Sequence, residues 1–272
     1  MDKTPTKLPD EDSYYNRIKG KRVWSTGGLK FILDFIFEKS KKENLISLLE
    51  LGCGDADIVK FLPPQMKYTG LDPSEMCIAK LKSGNNNFVV GCAEEIPFSG
   101  GSFDFIFSGN AFEHFYDPKK SILEMIRVTK PGGYIIIVAP NLEVPWATIN
   151  AVRHYSLLKK MIFSFKRWID LGLRIFGVLR FRPVKENYTT ATGRFDRADD
   201  DLMSVTSTYE VASLLKKRGL KEVFIDKLVP KDNSFKNKIR LALTYIPVLR
   251  YYGTGILVIF QKPNEIANQR QF

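Results

Sequence analysis

The sequence predicts an α/β fold, a doubly wound, mostly parallel sheet of seven strands with helices on both faces. Three observations predict it. Short apolar runs alternate with helical repeats from Leu45 to Ala139 at the spacing of β-α-β units. Runs such as Ile135-Ile136-Ile137-Val138 have no polar side, as strands buried on both faces require. The first run ends in Gly52-Cys53-Gly54, a turn that lets a strand pass at once into a helix.

At 272 residues and 44% hydrophobic content, the chain can fill one large α/β domain with an elaboration. Residues 1 to about 20 are polar and charged and read as a loose arm. Leu29, Ile32, Leu33, Ile36 and Phe37 then fall on one helical stripe over residues 27–40. A strand follows over Leu45–Leu51, a helix over Asp55–Phe61 stopped by Pro63-Pro64, a strand over Tyr68–Leu71 and a helix over Ser74–Leu81. Strands over Asn87–Val90 and Phe103–Phe107 precede a helix over Pro118–Thr129. Tyr134–Ala139 is a strand after the turn Lys130-Pro131-Gly132-Gly133. The pattern breaks from Asn141 to about Ser204, then resumes with a helix over Tyr209–Arg218 and strands near Val223–Leu228 and over Gly255–Phe260. Four regions result: an arm and helix (1–40), the first part of the α/β core (41–140), an inserted basic amphipathic helical lid (141–205) and the rest of the core (206–272).

Cys53, Cys77 and Cys92 are too few for a disulfide framework and lack metal-ligand spacing, which implies a reducing, cytoplasmic compartment and no metal. The N-terminus has no apolar signal segment, and no stretch approaches the roughly 18 apolar residues of a membrane span. The net charge of +11 points to an anionic partner, nucleic acid or a membrane surface. Much of it is local. Arg153, Lys159, Lys160, Lys166, Arg167, Arg174, Arg180 and Arg182 face Asp170 alone between Asn150 and Arg182.

The turn at Gly52-Cys53-Gly54 carries the chemistry. Two glycines let backbone approach a ligand closely, and a helix start offers unpaired N–H groups to an anionic group such as a carboxylate. A tight turn could serve packing alone. Asp72, however, ends the next strand, where an acid accepts hydrogen bonds from both hydroxyls of a ribose. The third glycine of a pyrophosphate-binding loop is replaced by Asp57, and Glu50 precedes the turn. Both acids repel a polyphosphate, while Glu50 suits an ammonium group. The pattern asks for a cofactor that joins an amine to a nucleoside.

Here the sequence resembles the class I S-adenosylmethionine-dependent methyltransferases, in the broad group of ubiquinone and menaquinone biosynthesis enzymes. The residues that carry the resemblance are Leu48 to Gly54, Gly70 to Ser74, Ala93 to Phe98, Ser102 to Asp104, Glu113 to Phe115 and Arg127 to Gly133. It covers residues 45–140 strongly and 205–262 weakly, and implies a Rossmann-like methyltransferase fold and S-adenosyl-L-methionine as cofactor. It further implies that Gly52, Cys53 and Gly54 line the methionine portion, that Glu50 faces its amino group, and that Asp72 with Pro73 meets the ribose. Met76, Ala93 and Glu94 would enclose the adenine, and Ser108 and Asn110 would border the transferred methyl group. One departure is Cys92, where the family usually has an acid; a thiol is a weak partner for an adenine amino group.

The methyl acceptor is less legible. His114, just past the fourth strand, is the one candidate base at the carboxyl edge of the sheet; the competing reading is a packed or capping histidine. No Asn-Pro-Pro-Tyr or Asp-Pro-Pro-Tyr tetrapeptide follows, which by resemblance argues against the amino-methylating DNA enzymes. In the insert, Leu158, Met161, Ile162, Phe165, Ile169, Leu173 and Phe176 recur at helical spacing, with Lys159, Lys160, Lys166 and Arg167 on the remaining surface. Leu171, Ile175 and Val178 broaden the stripe, and Pro230 to Arg250 adds a second basic and apolar patch.

Two readings of that helix compete: a foot on an anionic membrane, or a lid whose apolar stripe packs on the domain. The first makes the acceptor a lipid, an isoprenoid or a lipid-linked saccharide, methylated by a cytoplasmic enzyme peripheral on the inner face of the membrane. The second makes it a soluble small metabolite. A third, nucleic-acid binding with a retained cofactor pocket, ranks below both because a groove reader interleaves basic residues with polar and exposed aromatic ones. Asp196, Asp199, Asp200 and Asp201 read equally as a solvated loop, a helix start or part of the acceptor pocket. The sequence does not fix the oligomeric state.

Overall fold

Apolar runs that are buried on both sides pair in parallel when helices cover each face, and the core obeys this rule. The computed structural model describes residues 27–81, 86–143, 149–174, 176–194, 200–226 and 255–264. Strands β1 (Ser47–Leu51), β2 (Lys67–Asp72), β3 (Asn87–Val90), β4 (Phe103–Gly109), β5 (Thr129–Pro140), β6 (Lys221–Asp226) and β7 (Gly255–Gln261) form one sheet. Their order is β3-β2-β1-β4-β5-β7-β6. β1 pairs in parallel with β2 and β4, β2 with β3, and β4 with β5, whereas β7 runs antiparallel to both β5 and β6. The predicted doubly wound, mostly parallel sheet of seven strands is observed.

On one face, helix α1 (Gly27–Glu43) buries Ile32 and Ile36 against Leu48, Tyr68, Phe105 and Tyr134. Phe35 completes that contact edge-on to Tyr134, at 5.2 Å between ring centroids. Phe37, expected on the buried stripe, is exposed, because the helix rolls Phe35 inward instead. The other face carries α3 (Pro118–Val128) and α6 (Thr208–Lys217), which bury Ile122, Met125, Val211 and Leu215 against Leu49, Ile106 and Ile135. Short helix α2 (Glu75–Ala79) follows β2.

Two local predictions change. The helix expected over Asp55–Phe61 is a 3-10 turn over Asp57–Phe61; Ala56 adopts φ 53°, which ends the turn chain late, and Pro63 leaves no room for another turn. The turn expected at Lys130–Gly133 lies inside β5 as a bulge. Thr129 pairs with Phe103 and Tyr134 with Phe105, so residues 130–133 arch out between them, with Gly132 at φ 78°. The expected arm over residues 1–20, Ile175, Asp196, Asp199, the end of the strand at Leu228 and the patch from Pro230 to Arg250 lie outside the described residues.

The insert has its own small core of Ile149, Ala151, Val152, Val184, Leu202 and Val205. It contains α4 (Leu157–Arg174) and the short α5 (Tyr188–Thr192). α4 faces opposite to the lid alternative: Leu158, Met161, Ile162, Phe165, Trp168 and Ile169 are exposed, Phe165 at 63%. Arg167, Asp170 and Arg174 are buried, Arg167 at 4%. Arg167, expected among the surface cations, is therefore an inward residue, stacked over the Phe163 ring at 5.7 Å. The roll is set by charge. Asp170 receives two bonds from Arg182, and Glu143 receives one from Arg174 at 2.5 Å and one from the Ser207 hydroxyl. Rolling α4 outward would part Arg174 from buried Glu143 and Asp170, on the same helix, from Arg182, at a cost of about 3–5 kcal/mol for each broken pair.

Asp104 shows how the sheet is pinned. Its carboxylate accepts from the amides of Ile46 and Ser47, the Ser47 hydroxyl and Lys130 at 2.6–3.0 Å. Burial alone would raise its pKa, but the Ser47 and Lys130 bonds and the two amides outweigh it and hold the group below its ordinary 3.8. A depressed carboxylate stabilises the fold above its unfolded pKa, and that gain is lost as pH falls through the folded value. Asp104→Asn is expected to cost about 2 kcal/mol in urea unfolding at neutral pH. The gap to the parent protein should close as pH drops below 3.8. An equal gap in acid would show that the charge is not what pins β1.

Candidate functional site

β1 and β2 are tied where they end. The amides of Gly52 and Cys53 both donate to Leu71 O, at 2.8 and 3.2 Å, so the chain leaving β1 bends across the tip of β2. Gly52 and Gly54 adopt φ 69° and 54°, conformations that side chains resist. A Cβ at Gly52 would lie 2.4 Å from the Cβ of Ala111, just beyond β4. Three strand ends, those of β1, β2 and β4, thus close around this turn at the carboxyl edge, where open α/β sheets bind ligands.

Asp72 is buried, and each carboxylate oxygen accepts one amide: Gly54 N at 2.9 Å and Ser74 N at 3.0 Å. A carboxylate offers about four acceptor sites, the chemistry that a pair of ribose hydroxyls needs. Glu50 is fully buried and accepts from the Tyr68 hydroxyl at 2.6 Å. Cys53 is buried behind the turn, against the space where a Gly70 side chain would sit. Pro73 is exposed and Met76, on α2, is half-buried. Ser108 is buried near the end of β4, and its hydroxyl has no hydrogen-bond partner among the described residues. Asn110 follows at φ 52°, exposed, with its amide bound to Val138 O. His114 lies in a 3-10 turn over Phe112–His114, one turn past Ala111.

Glu94 also serves the fold. Beside buried Ala93, its carboxylate accepts the Asp117 amide at 3.1 Å and so holds the loop that starts α3. Burial raises its pKa despite the Asp117, Tyr116 and Ser121 bonds that favour the charge. The Cys92 thiol is likewise raised, first by burial and then by Glu94 and Asp72. Tyr116 is raised by burial and by the same Glu94 and Cys92. Cys92, Glu94 and Tyr116 therefore share one side of the site, and Tyr116 brings a phenol where the sequence suggested only a thiol.

Sequence reasoning missed Tyr68, Cys77, Ala111 and Tyr116. The Cys77 thiol donates to Gly54 O at 3.0 Å, locking the turn from α2. Only Tyr68 had a readable signal, a hydroxyl on a strand otherwise destined for the core; it pairs with Leu48, and its hydroxyl reaches Glu50 two residues further along β1. The residues fit a ligand with an amine and a nucleoside: acids at Glu50, Asp57 and Asp72 disfavour a polyphosphate, the turn has no room for a side chain, and Ser108 offers a buried hydroxyl that lacks a partner.

The methyltransferase domain family model matches residues 49–137. A demethylmenaquinone methyltransferase of Chlorobaculum tepidum is 34% identical over 99 residues, which are 35% of this chain and 41% of that protein. A norajmaline N-methyltransferase of Rauvolfia serpentina is 35% identical over 112 residues, 38% of either chain. The chain spans about two fifths of the length of the curated relatives it matches. The crystal structure of an S-adenosylmethionine-dependent methyltransferase from Mesorhizobium loti superposes over 88% of this chain and 100% of its own, with a TM-score of 0.54 and 12% identity.

Gly52→Ala would force a methyl group into Ala111 and strain a positive φ. We expect it to lower the melting temperature and to abolish the rise given by S-adenosylhomocysteine; pairing it with Ala111→Gly restores the space but not the φ, so recovery is partial. Asp72→Ala is also expected to abolish the rise, and an unchanged rise would remove Asp72 from ribose binding. The turn, the strand ends and the family match coincide in one stretch: residues 49–137 match the methyltransferase domain family model, and the chain has the seven-stranded fold that an S-adenosylmethionine-dependent methyltransferase also has.

Proposed function

We propose that the chain is an S-adenosylmethionine-dependent methyltransferase whose acceptor is a lipid, an isoprenoid or a lipid-linked saccharide, reached at a membrane surface. S-adenosylmethionine supplies an electrophilic methyl group on a sulfonium. Glu50, held by Tyr68, takes the ammonium end, and Gly52, Cys53 and Gly54 give the backbone its close approach. Asp72 takes the ribose, with Pro73 and Met76 beside it, and Ala93 and Glu94 border the adenine. Ser108 and Asn110 flank the reacting methyl, where in-line positioning is the main contribution of the protein.

The single observation that carries the acceptor class is the outward apolar face of α4. Apolar side chains facing water over most of an 18-residue helix are unfavourable unless something apolar covers them. Exposed Lys159, Lys160 and Lys166 border that face, and each basic side chain near an anionic surface contributes about 1 kcal/mol before screening. An interfacial helix has this design, and among the described residues no helix is long and apolar enough to cross a membrane. The likeness to demethylmenaquinone methyltransferases supports an isoprenoid acceptor. In this reading residues 141–205 are both lid and membrane foot, between the two parts of the α/β core (41–140 and 206–272), and the enzyme works peripherally on the cytoplasmic face.

Flotation with vesicles of phosphatidylglycerol and phosphatidylcholine tests this. The parent chain is expected to float with anionic vesicles and less with neutral ones. Leu158→Glu with Phe165→Glu should end flotation without lowering the melting temperature, because both side chains are exposed. Equal flotation of parent and variant would sink the membrane reading and leave a soluble acceptor. A salt-dependent shift on RNA would instead favour nucleic acid.

A further inference from the structure

The turn Phe112–His114 closes on Ala111, with His114 N donating to Ala111 O at 3.0 Å, so the imidazole is held one turn from the contact with Gly52. The insert reaches the same place. The amides of Met203 and Ser204 both donate to Glu113 O, at 3.0 and 3.1 Å. That strap brings Asp201 Oδ1 to 3.4 Å from His114 Nδ1. Asp201 is 8% exposed, and its Oδ1 is shut off from solvent with no hydrogen bond of its own. A buried carboxylate oxygen needs a donor, and an Nδ1–H supplies one. Asp200, next in the chain, cannot take this part because Arg153 holds it. Among the described residues Glu113, on its own turn, also faces the imidazole, 3.8 Å from Nε2.

We propose that His114 is the proton acceptor of this enzyme, that Asp201 is its positioning residue contributed by the insert, and that the methyl acceptor is a hydroxyl. The proposal rests on the methyltransferase reading above. Nδ1–H directed at Asp201 leaves the lone pair on Nε2, and the carboxylate stabilises the imidazolium that forms. A hydroxyl is the acceptor that needs such a base, since its oxygen must lose a proton as it bonds. The oxygen–methyl bond forms as the sulfur–methyl bond breaks. The bonding pair stays on sulfur, giving neutral S-adenosylhomocysteine, and the hydroxyl proton passes to Nε2.

The test follows the imidazoles by NMR in the full chain with S-adenosylhomocysteine. The sequence has only two histidines, so His154→Gln assigns His114. In the parent protein the neutral ring is expected as the Nδ1–H tautomer. Asp201→Asn should lower the His114 titration midpoint by about one pH unit, and Asp201→Glu should restore most of it. A midpoint that does not move, or an Nε2–H tautomer in the parent, overturns the pair. A retained melting-temperature rise with S-adenosylhomocysteine in Asp201→Asn separates that failure from a failure of the cofactor reading, in which the parent chain shows no rise. For the acceptor, the probes are tritiated S-adenosylmethionine and a detergent-dispersed polar-lipid extract. Label that hot hydriodic acid releases as methyl iodide supports an O-methyl product, and label that stays on the carbon skeleton overturns the hydroxyl assignment.

Discussion

Arg174 cannot turn toward water without leaving buried Glu143 short of its cation, nor Asp170, on the same helix, without leaving Arg182, and much of the insert depends on that constraint. An amphipathic helix left to the hydrophobic effect would bury Leu158, Phe165 and Ile169 and expose its arginines. Here the partners of the arginines lie at fixed points of the core: Glu143 just past β5, held also by Ser207, and Glu210 on α6. Burial raises the pKa of Glu210, and Arg174 and the amides of Arg180 and Phe181 act against it. The apolar face is outward because the charged face has nowhere else to go.

The cofactor end follows a different constraint, lack of space. Gly52 lies against Ala111, and the Gly54 carbonyl and amide are taken by Cys77 and Asp72. The turn is therefore fixed from β2, α2 and the segment after β4 at once. This rigidity matters for a displacement in which a misplacement of about 1 Å costs on the order of a hundredfold in rate. A polar atom that is buried without a partner, such as Ser108 Oγ, is tolerated on such a frame because a ligand can complete it.

The alternation of runs was enough to read the sheet, because β1, β2, β4 and β5 are local apolar segments whose pairing is dictated by burial on both faces. The roll of α4 was not legible in the same way. Its stripe looks alike whether it packs inward or faces out, and only the tertiary placement of Glu143, Arg182 and Glu210 decides between them. The site divides along the same line. Gly52, Gly54 and Asp72 are legible because the local backbone dictates their types. Tyr68, Ala111 and Tyr116 meet the site through strand register and loop closure, which a single sequence does not encode in any short pattern. Glu94 has a second part that no pattern shows: it accepts the amide of Asp117, the residue that caps α3.

The two halves of the site are mechanically one. Asp170 on α4 holds Arg182; the Arg182 carbonyl accepts Val205 N at 2.8 Å, and Val184 N donates to Met203 O at 2.8 Å. Met203 and Ser204 then hang from Glu113, beside His114. The path from the exposed apolar face to the imidazole thus consists of one ion pair and a short antiparallel pairing. A helix that settles on an apolar phase would fix the plane from which an acceptor enters, and the same strap sets Asp201 beside His114. Separate elements for docking and for proton transfer would have to be aligned by a third. On the proposed reading one insertion into an α/β core would supply both, with charged residues buried where a simple lid would have placed leucines.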